Sequence, residues 1–372
     1  MSALAVSSVE STAARAAADI KTQLAGADPR FVLYFASSAF PAGQVSAEMQ
    51  KAFGDVPTFG CTTAGEIVSG KMLKNSLVAM AIGKDMVKDV SVAVVSDLAG
   101  KAGLDGAIAR FEKHFDTSIS DMDLQEYVGI VLVDGLSGAE ERLMDRLGDR
   151  TSLTFIGGSA GDDLKFRETH VFANGAAHAG AALLVLLRTQ AGFDIIKTQS
   201  FNTLRKTLTA TRVDEPQRTV IEFNGKPALA EYGRAAGAGQ GQEADAFMRN
   251  PLGLMVDGEP YVRSPQAAAG GALKFYCEIK EGMELSVLES TDIVRDTRAA
   301  VQEKVNQLGD RLGAILNFNC ILRTLELEQK KQTDAYGKIF ADVNTVGFST
   351  YGEQYLGHVN QTATMLVLRK VA

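Results

Sequence analysis

The chain is poor in cysteine and histidine and has no long apolar stretch. Its three cysteines, Cys61, Cys277 and Cys320, form no C-x-x-C pair, and any pairing leaves one thiol over. That excludes a disulfide framework or a zinc ribbon and points to a reducing compartment. The four histidines, His114, His170, His178 and His358, include no H-E-x-x-H pair, and none stands in a cysteine-hydrolase pattern. A thiol nucleophile needs a base within reach, so a buried inert thiol is the reading for Cys61 and Cys320. The longest apolar run, Ala179 to Leu187, is far short of the roughly 20 residues a helix needs to cross a bilayer and reads as a buried strand. The N-terminal residues carry no basic region ahead of an apolar one, so they do not read as a secretory signal. Basic charge is in deficit, 38 Lys and Arg against 45 Asp and Glu, a net charge of −7. Neither nucleic acid nor an anionic membrane is favoured as a partner. No G-x-x-x-x-G-K-[ST], no G-x-G-x-x-G after a strand and no G-x-S-x-G is present, which counts against nucleotide and α/β-hydrolase chemistry. These absences point to a cytoplasmic chain and disfavour an enzyme with Cys61 or Cys320 as nucleophile, for want of a positioned base.

Hydrophobic residues make up 46% of the sequence and charged residues 22%, ordinary values for a globular chain. At about 100–200 residues per domain, the length of 372 suggests two domains or more. A unit of strand, small turn, helix, strand and glycine turn occurs three times. The first copy runs from Phe31-Val-Leu-Tyr-Phe35 through Ala36-Ser-Ser38 and a helix with Val45, Met49 and Phe53 on one face to Gly60-Cys-Thr-Thr-Ala-Gly65-Glu66. The second runs from Gly129-Ile-Val-Leu-Val133 through Asp134-Gly-Leu-Ser-Gly138 and a helix with Leu143 and Leu147 to Gly157-Gly-Ser-Ala-Gly161-Asp162-Asp163. The third runs from Ala314-Ile-Leu-Asn-Phe318 and Asn319-Cys320 to Gly347-Phe-Ser-Thr-Tyr-Gly352-Glu353. The first and third turns share the spacing G-x-[ST]-T-x-G-E, and the helices show a period near 3.6. The plainer alternative is that glycine turns are common in α/β chains.

Residues 77–82 and 90–95 read as a hairpin, with further strands at 168–173, 180–187, 194–201 and 206–213. Helices carry Leu104, Ile108, Phe111 and Phe115, and later Val301, Val305, Leu308 and Leu312. So many strands between few helices favour an α+β fold of mixed sheets flanked by helices. Asp214-Glu-Pro216 interrupts the pattern. The division is a helical segment over 1–30, one domain over 31–218 and a second over 219–372.

Turns rich in Gly, Ser and Thr expose backbone N–H groups and hydroxyls, which suit a carboxylate or phosphate. Gly60, Cys61 and Thr62 in the first turn, and Tyr351, Gly352 and Glu353 in the third, are therefore ligand candidates. The alternative for Glu66 and Glu353 is that they only brace their turns. Arg263, Arg323 and the neighbouring Cys320 stand at strand ends, where an Arg can clamp a carboxylate bidentately. With period two, His358, Asn360, Thr362 and Thr364 point to one face of a strand entering Met365-Leu-Val-Leu368. That row would line a pocket or form a hydrogen-bonded edge. His114 is expected to face solvent.

Four ordered motifs resemble the FIST family: Gly60-Cys-Thr-Thr-Ala-Gly-Glu-Ile67, Gly157-Gly-Ser-Ala-Gly-Asp-Asp163, Phe223-Asn-Gly-Lys-Pro-Ala-Leu229, and Gly347-Phe-Ser-Thr-Tyr-Gly-Glu353 with Asn360-Gln-Thr362. The likeness covers almost the whole chain. It implies an N-terminal and a C-terminal FIST domain and a ligand-sensing role in signal transduction, not catalysis. The ending Gly-Glu-Gln-Tyr-Leu-Gly-His-Val-Asn-Gln-Thr is closer to a bacterial subgroup that binds haem and senses nitric oxide. For that subgroup the resemblance implies His358 as the haem iron's ligand and an output to a separate histidine kinase or cyclic-di-GMP enzyme. Many members carry His directly before the Asn, whereas Val359 intervenes here. The alternative ligand is an amino acid or other small carboxylate held by the glycine turns, Glu353, Arg263 and Arg323. A homodimer is left open.

Overall fold

The computed structural model describes residues 3–98, 100, 102–239 and 241–371. Strand makes up 41% and helix 27%, in several mixed sheets flanked by helices, which makes the fold α+β. The repeated unit is real structure. Pro29–Ser37 and Thr58–Thr63 are parallel neighbours joined through the helix Ala42–Phe53. Tyr127–Val133 and Phe155–Ser159 are joined through Glu140–Arg150. Leu312–Cys320 and Thr345–Thr350 are joined through Ile321–Gln329 and Thr333–Gly337. In each module an antiparallel strand flanks the first parallel strand: Leu77–Gly83, Ala182–Thr189 and Thr362–Arg369 respectively. The helices obey the apolar spacing, with Val45, Met49 and Phe53 buried in the first and Leu143 and Leu147 in the second.

One glycine makes each parallel pair possible. Gly60 lies opposite Tyr34, Gly157 opposite Val131 and Gly347 opposite Asn317. A Cβ at these three positions would stand 1.6, 1.8 and 2.0 Å from the facing carbonyl oxygen. Only a residue without a side chain lets the two backbones come this close.

The strand after each glycine turn leaves its own module. Glu66–Val68 pairs with Thr345–Thr350 of the third, Glu353–Tyr355 with Phe155–Ser159 of the second, and Val171–Ala173 with Thr58–Thr63 of the first. The exchange closes a cycle of three. The turns are stitched in the same order: Ser349 N–H donates to Gly65 O (2.8 Å), Ser159 N–H to Gly352 O (2.8 Å) and Gly161 N–H to Thr62 O (3.0 Å). The inner faces of all three sheets share one apolar core, with Leu33 and Phe35, Ile130 and Leu132, and Leu316 and Phe318 among its members.

Two compact units result from the packing. The first comprises 1–198, 297–358 and 363–372, and the second 199–296 with 359–362. The second unit is thus inserted between the second and third modules. It is an antiparallel sheet around the helix Ala228–Ala236, with Leu208, Phe223, Tyr232, Phe275 and Val287 in its core. Residue 218 lies within it because Thr219–Phe223 pairs with Phe201–Asp214.

Three local expectations change. The helix expected within 1–30 is Ala13–Gln23, preceded by a strand, Ala3–Ser8, that pairs with Leu77–Gly83. The segments 77–82 and 90–95 are not a hairpin: Val87–Val95 pairs with Ala182–Thr189 in a different sheet, because the chain crosses from the first module to the second at that turn. The polar row from His358 to Thr364 does not lie on one strand. His358–Val359 ends at a turn in which Gln361 has φ of 49°, and a new strand begins at Thr362. Among the described residues no helix is long and apolar enough to cross a membrane.

Candidate functional site

The outward faces of the three modules differ. In the first module Tyr34 and Ala36 point out under the helices Ala13–Gln23 and Ala42–Phe53 and join an apolar cluster there. In the second, Val131 and Val133 do the same. The register places Asn317 and Asn319 at the matching positions of the third. Both are fully buried, and they anchor a polar cluster instead of an apolar one.

At its centre is Arg323, 1% exposed and the bulkiest fully buried side chain among the described residues. It is held on the first turn of the helix that follows Cys320. Its Nε donates to Asn319 Oδ1 (2.9 Å) and its Nη2 to Thr297 Oγ1 (2.7 Å). The guanidinium carbon lies 6.0 Å from the ring centre of Tyr336. The Tyr336 hydroxyl donates to Asn319 Oδ1 (3.0 Å) and accepts from Asn317 Nδ2 (3.3 Å). Burial raises its phenol pKa, against the pull of the Arg323 charge. Asn319 Nδ2 reaches Thr324 Oγ1 (3.0 Å), which shares a hydrogen bond with Ser349 Oγ (2.7 Å).

Arg323 Nη1 and Asn317 Oδ1 are buried with no hydrogen-bond partner. Among the described residues no carboxylate forms an ion pair with Arg323. Its hydrogen bonds run to neutral groups, while the buried carboxylate of Glu353 lies close enough to act electrostatically on the neighbouring Tyr336. Nη1 is the cluster's orphaned donor, and a buried donor left unmet is costly.

The cluster backs onto a cleft of about 190 Å³, floored by Thr324 and Ser349 and walled by Gly65, Met72 and Leu73. Lys74 and Glu328 form an ion pair at its rim, with Nζ 2.7 Å from Oε1. The volume equals about six waters at ~30 Å³ each, enough for a small metabolite.

The other expected site residues fall elsewhere. Gly60 and Cys61 lie inside the strand Thr58–Thr63, not in a turn. Cys61 is fully buried in the shared core, and burial raises its thiol pKa well above the ordinary value. Thr62 accepts the N–H of His170 (3.0 Å) and is used up in joining two modules. Tyr351 donates its hydroxyl to Asp162 and accepts from Leu164 N–H (2.8 Å). Gly352 O accepts from Thr350 Oγ1 (2.6 Å) as well as from Ser159 N–H. Glu353 is buried on the exchanged strand Glu353–Tyr355, near enough to Tyr336 to raise its pKa. Cys320 is buried as the last residue of its strand. Arg263 and Asn360 belong to the second unit. Glu66 braces its turn, accepting from Ser76 N–H (3.1 Å), Ser76 Oγ (2.6 Å) and Thr63 Oγ1.

His358 is buried, at 4% exposure. A Cβ built on Gly352 would stand 2.1 Å from its Cε1 and 2.8 Å from its Nε2, so the Cε1 edge of the ring is pressed against that turn. Its Nδ1 is 3.1 Å from Gln354 Nε2, which also reaches Ser159 Oγ (3.0 Å). A haem iron needs one imidazole nitrogen facing an open slot. Here Nδ1 is engaged by Gln354 and the ring is buried, so an axial haem ligand at this position would first have to leave the Gly352 turn. Among the described residues no cluster of His, Cys, Asp and Glu could hold a metal ion. His114 is exposed and paired with Asp89 (3.0 Å).

Asn317, Asn319, Thr297, Tyr336 and Thr324 escaped the sequence reading. The signal for two of them was two asparagines at alternate positions in an otherwise apolar strand. No curated protein matches the chain. Residues 30–226 match the FIST N domain and residues 228–356 the FIST C domain. FIST domains are signal-transduction sensor domains that bind small ligands. Together the two matches cover almost the whole sequence, and the chain belongs to the FIST family.

Proposed function

We propose that this chain is a sensor for a small carboxylate, and that Arg323 is the group that binds it. The observation that carries the reading is the buried Arg323 guanidinium with its orphaned Nη1, present in one module of three. A carboxylate there forms charge-assisted hydrogen bonds and gives Nη1 the acceptor it lacks. Asn317 Oδ1 offers an acceptor to a hydroxyl or amine on the same molecule. The site holds no nucleophile with a base beside it, which favours binding over catalysis. On the family resemblance, the signal is read by a separate protein such as a histidine kinase or a cyclic-di-GMP enzyme.

A thermal-shift series on the full chain tests this. Millimolar acetate, propionate, lactate and glutamate should raise the melting temperature, methylamine and ethanolamine should not, and Arg323→Met should abolish the shift. No response to any carboxylate would contradict the reading. The haem alternative requires His358 to leave the Gly352 turn. Protein expressed with haem supply and showing a Soret band that moves with nitric oxide, lost in His358→Ala, would replace the carboxylate reading.

A further inference from the structure

We infer that copies of this chain associate head to tail, the loop 164–167 of one entering a groove at the end of the helix Glu140–Arg150 of the next. The inference is independent of the carboxylate reading of Arg323. Among the described non-glycine residues with left-handed φ, the large apolar ones are Leu164 (62°), Phe166 (50°) and Leu356 (52°). Turns usually give that conformation to Gly, Asn or Asp, because a bulky side chain is strained in it. All three are exposed, at 39%, 55% and 72%. The strain therefore serves no core. It presents apolar side chains to solvent at two places on the first unit.

The first place is the loop. Asp162 fixes it by accepting from the N–H groups of Phe166 (2.9 Å), Arg167 (2.7 Å) and Glu168 (3.2 Å). The Phe166 ring stacks on Tyr351, with ring centres 5.3 Å apart. Asp163 turns inward to the hydroxyls of Ser37 (3.3 Å) and Ser38 (2.7 Å). The outward charges are then Lys165 and Arg167, followed by Glu168. Lys165 Nζ reaches Ser38 Oγ (2.9 Å), and no ion pair holds Arg167 among the described residues.

The second place is a groove of about 680 Å³ with Met144, Leu153 and Phe155 buried in its wall and Leu356 exposed beside them. That volume is within the ~300–1,000 Å³ of clefts that take up bulky apolar groups. Asp145 and Asp149 also line it, both exposed, and no ion pair holds either among the described residues. Arg146 and Arg150 of the same helix are turned to Gly100 O and Asp105. The carbonyl end of the helix adds to the negative potential there. Two apolar side chains flanked by two cations thus match an apolar groove flanked by two carboxylates.

One chain cannot satisfy itself. The groove lies at the start of the strand Phe155–Ser159 and the loop leaves from its end, about 16 Å away. The contact is therefore between copies. Because its two surfaces differ, it repeats around a ring or along a filament and does not close as a two-fold dimer. One loop in one groove buries less than the ~1,200 Å² of a standard interface, so the association is weak.

Sedimentation of the full chain between about 10 µM and 1 mM, the range of such weak contacts, tests this. The wild type should pass from monomer to species larger than a dimer as concentration rises, and less so in high salt. Phe166→Ala, at an exposed position, should weaken association at least about tenfold. Two double variants, Lys165→Glu with Arg167→Glu and Asp145→Lys with Asp149→Lys, should each stay monomeric alone and associate when mixed, because each loop in the mixture finds a groove of opposite charge. A wild type that is monomeric throughout would overturn the inference and leave both surfaces to other partners. Double variants that associate alone as the wild type does, or a mixture that stays monomeric, would overturn it as well.

Discussion

The first and third modules have the same strand order, the same parallel pair and the same glycine pressed against a carbonyl. They differ in what lies beneath the outer helices. Tyr34 of the first stacks on Phe172 with ring centres 5.3 Å apart, in a layer that only packs. Asn317 of the third, in the matching place, hydrogen-bonds Tyr336 beside a buried guanidinium. The inner faces are alike because both must fill one shared core. The outer faces are under no such common demand. Within one chain, the comparison separates what the fold needs from what it does not: Tyr34 and Ala36, and Val131 and Val133, pack into apolar clusters at these two strand positions in the first and second modules, so the asparagines of the third have another reason to exist.

The comparison can be broken or sharpened by substitution. The largest effect is expected at the three equivalent glycines. Gly60→Ala, Gly157→Ala and Gly347→Ala each place a methyl within 2.0 Å or less of a backbone oxygen. Each should cost more than about 4 kcal/mol or prevent folding, as measured by urea denaturation. A module that tolerated the change would show that the three are not equivalent.

Next comes a test of the two faces of one strand. Leu316→Ala on the inner face should cost about 2–5 kcal/mol. Arg323→Met, beside the outer face, should leave stability unchanged or raise it, since it takes a buried charge with an unmet donor out of the layer. A large loss for Arg323→Met would make the arginine a structural element.

Glu66 sharpens the comparison among the turns. By register it sits where Val171 and Glu353 sit in the other two modules. Burial raises its pKa from 4.5 to about 7. The folded state therefore prefers the protonated form. Stability from this group is complete below pH 4.5 and is lost as the pH rises towards 7, by up to about 3 kcal/mol. Glu66→Gln should flatten that window, so that the variant gains on the wild type as the pH rises. Parallel stability–pH curves for the two proteins would contradict the assignment. The smallest effect is expected at His114. Its exposed pair with Asp89 predicts a change within about 0.5 kcal/mol for His114→Ala.

Much of this was legible in the sequence. Three glycine turns at the ends of strand–helix–strand units announced the modules because a close backbone approach admits only glycine, whatever surrounds it. The apolar spacing of Val45, Met49 and Phe53 announced the helix face in the same way. Partner choice between strands was not legible. Leu77–Gly83 and Val87–Val95 are apolar and close in sequence, and nothing local says that they join different sheets. The candidate site was legible only in part. Arg323 stood out as a strand-end cation, but its burial depends on Thr297, which lies before the third module, and on Tyr336, which lies on a later helix. Cys61 was read as a buried thiol and is one, but the residue before it, Gly60, read as part of a turn, whereas it serves a buried parallel pair.

The most direct test of the account is a crystal structure of the full chain grown or soaked in a millimolar small carboxylate such as lactate or succinate. Density for a carboxylate is expected against Arg323, with an oxygen about 2.7–2.9 Å from Nη1. A carboxylate bound at Arg263 or at the glycine turns, with Arg323 Nη1 met only by water, would contradict it.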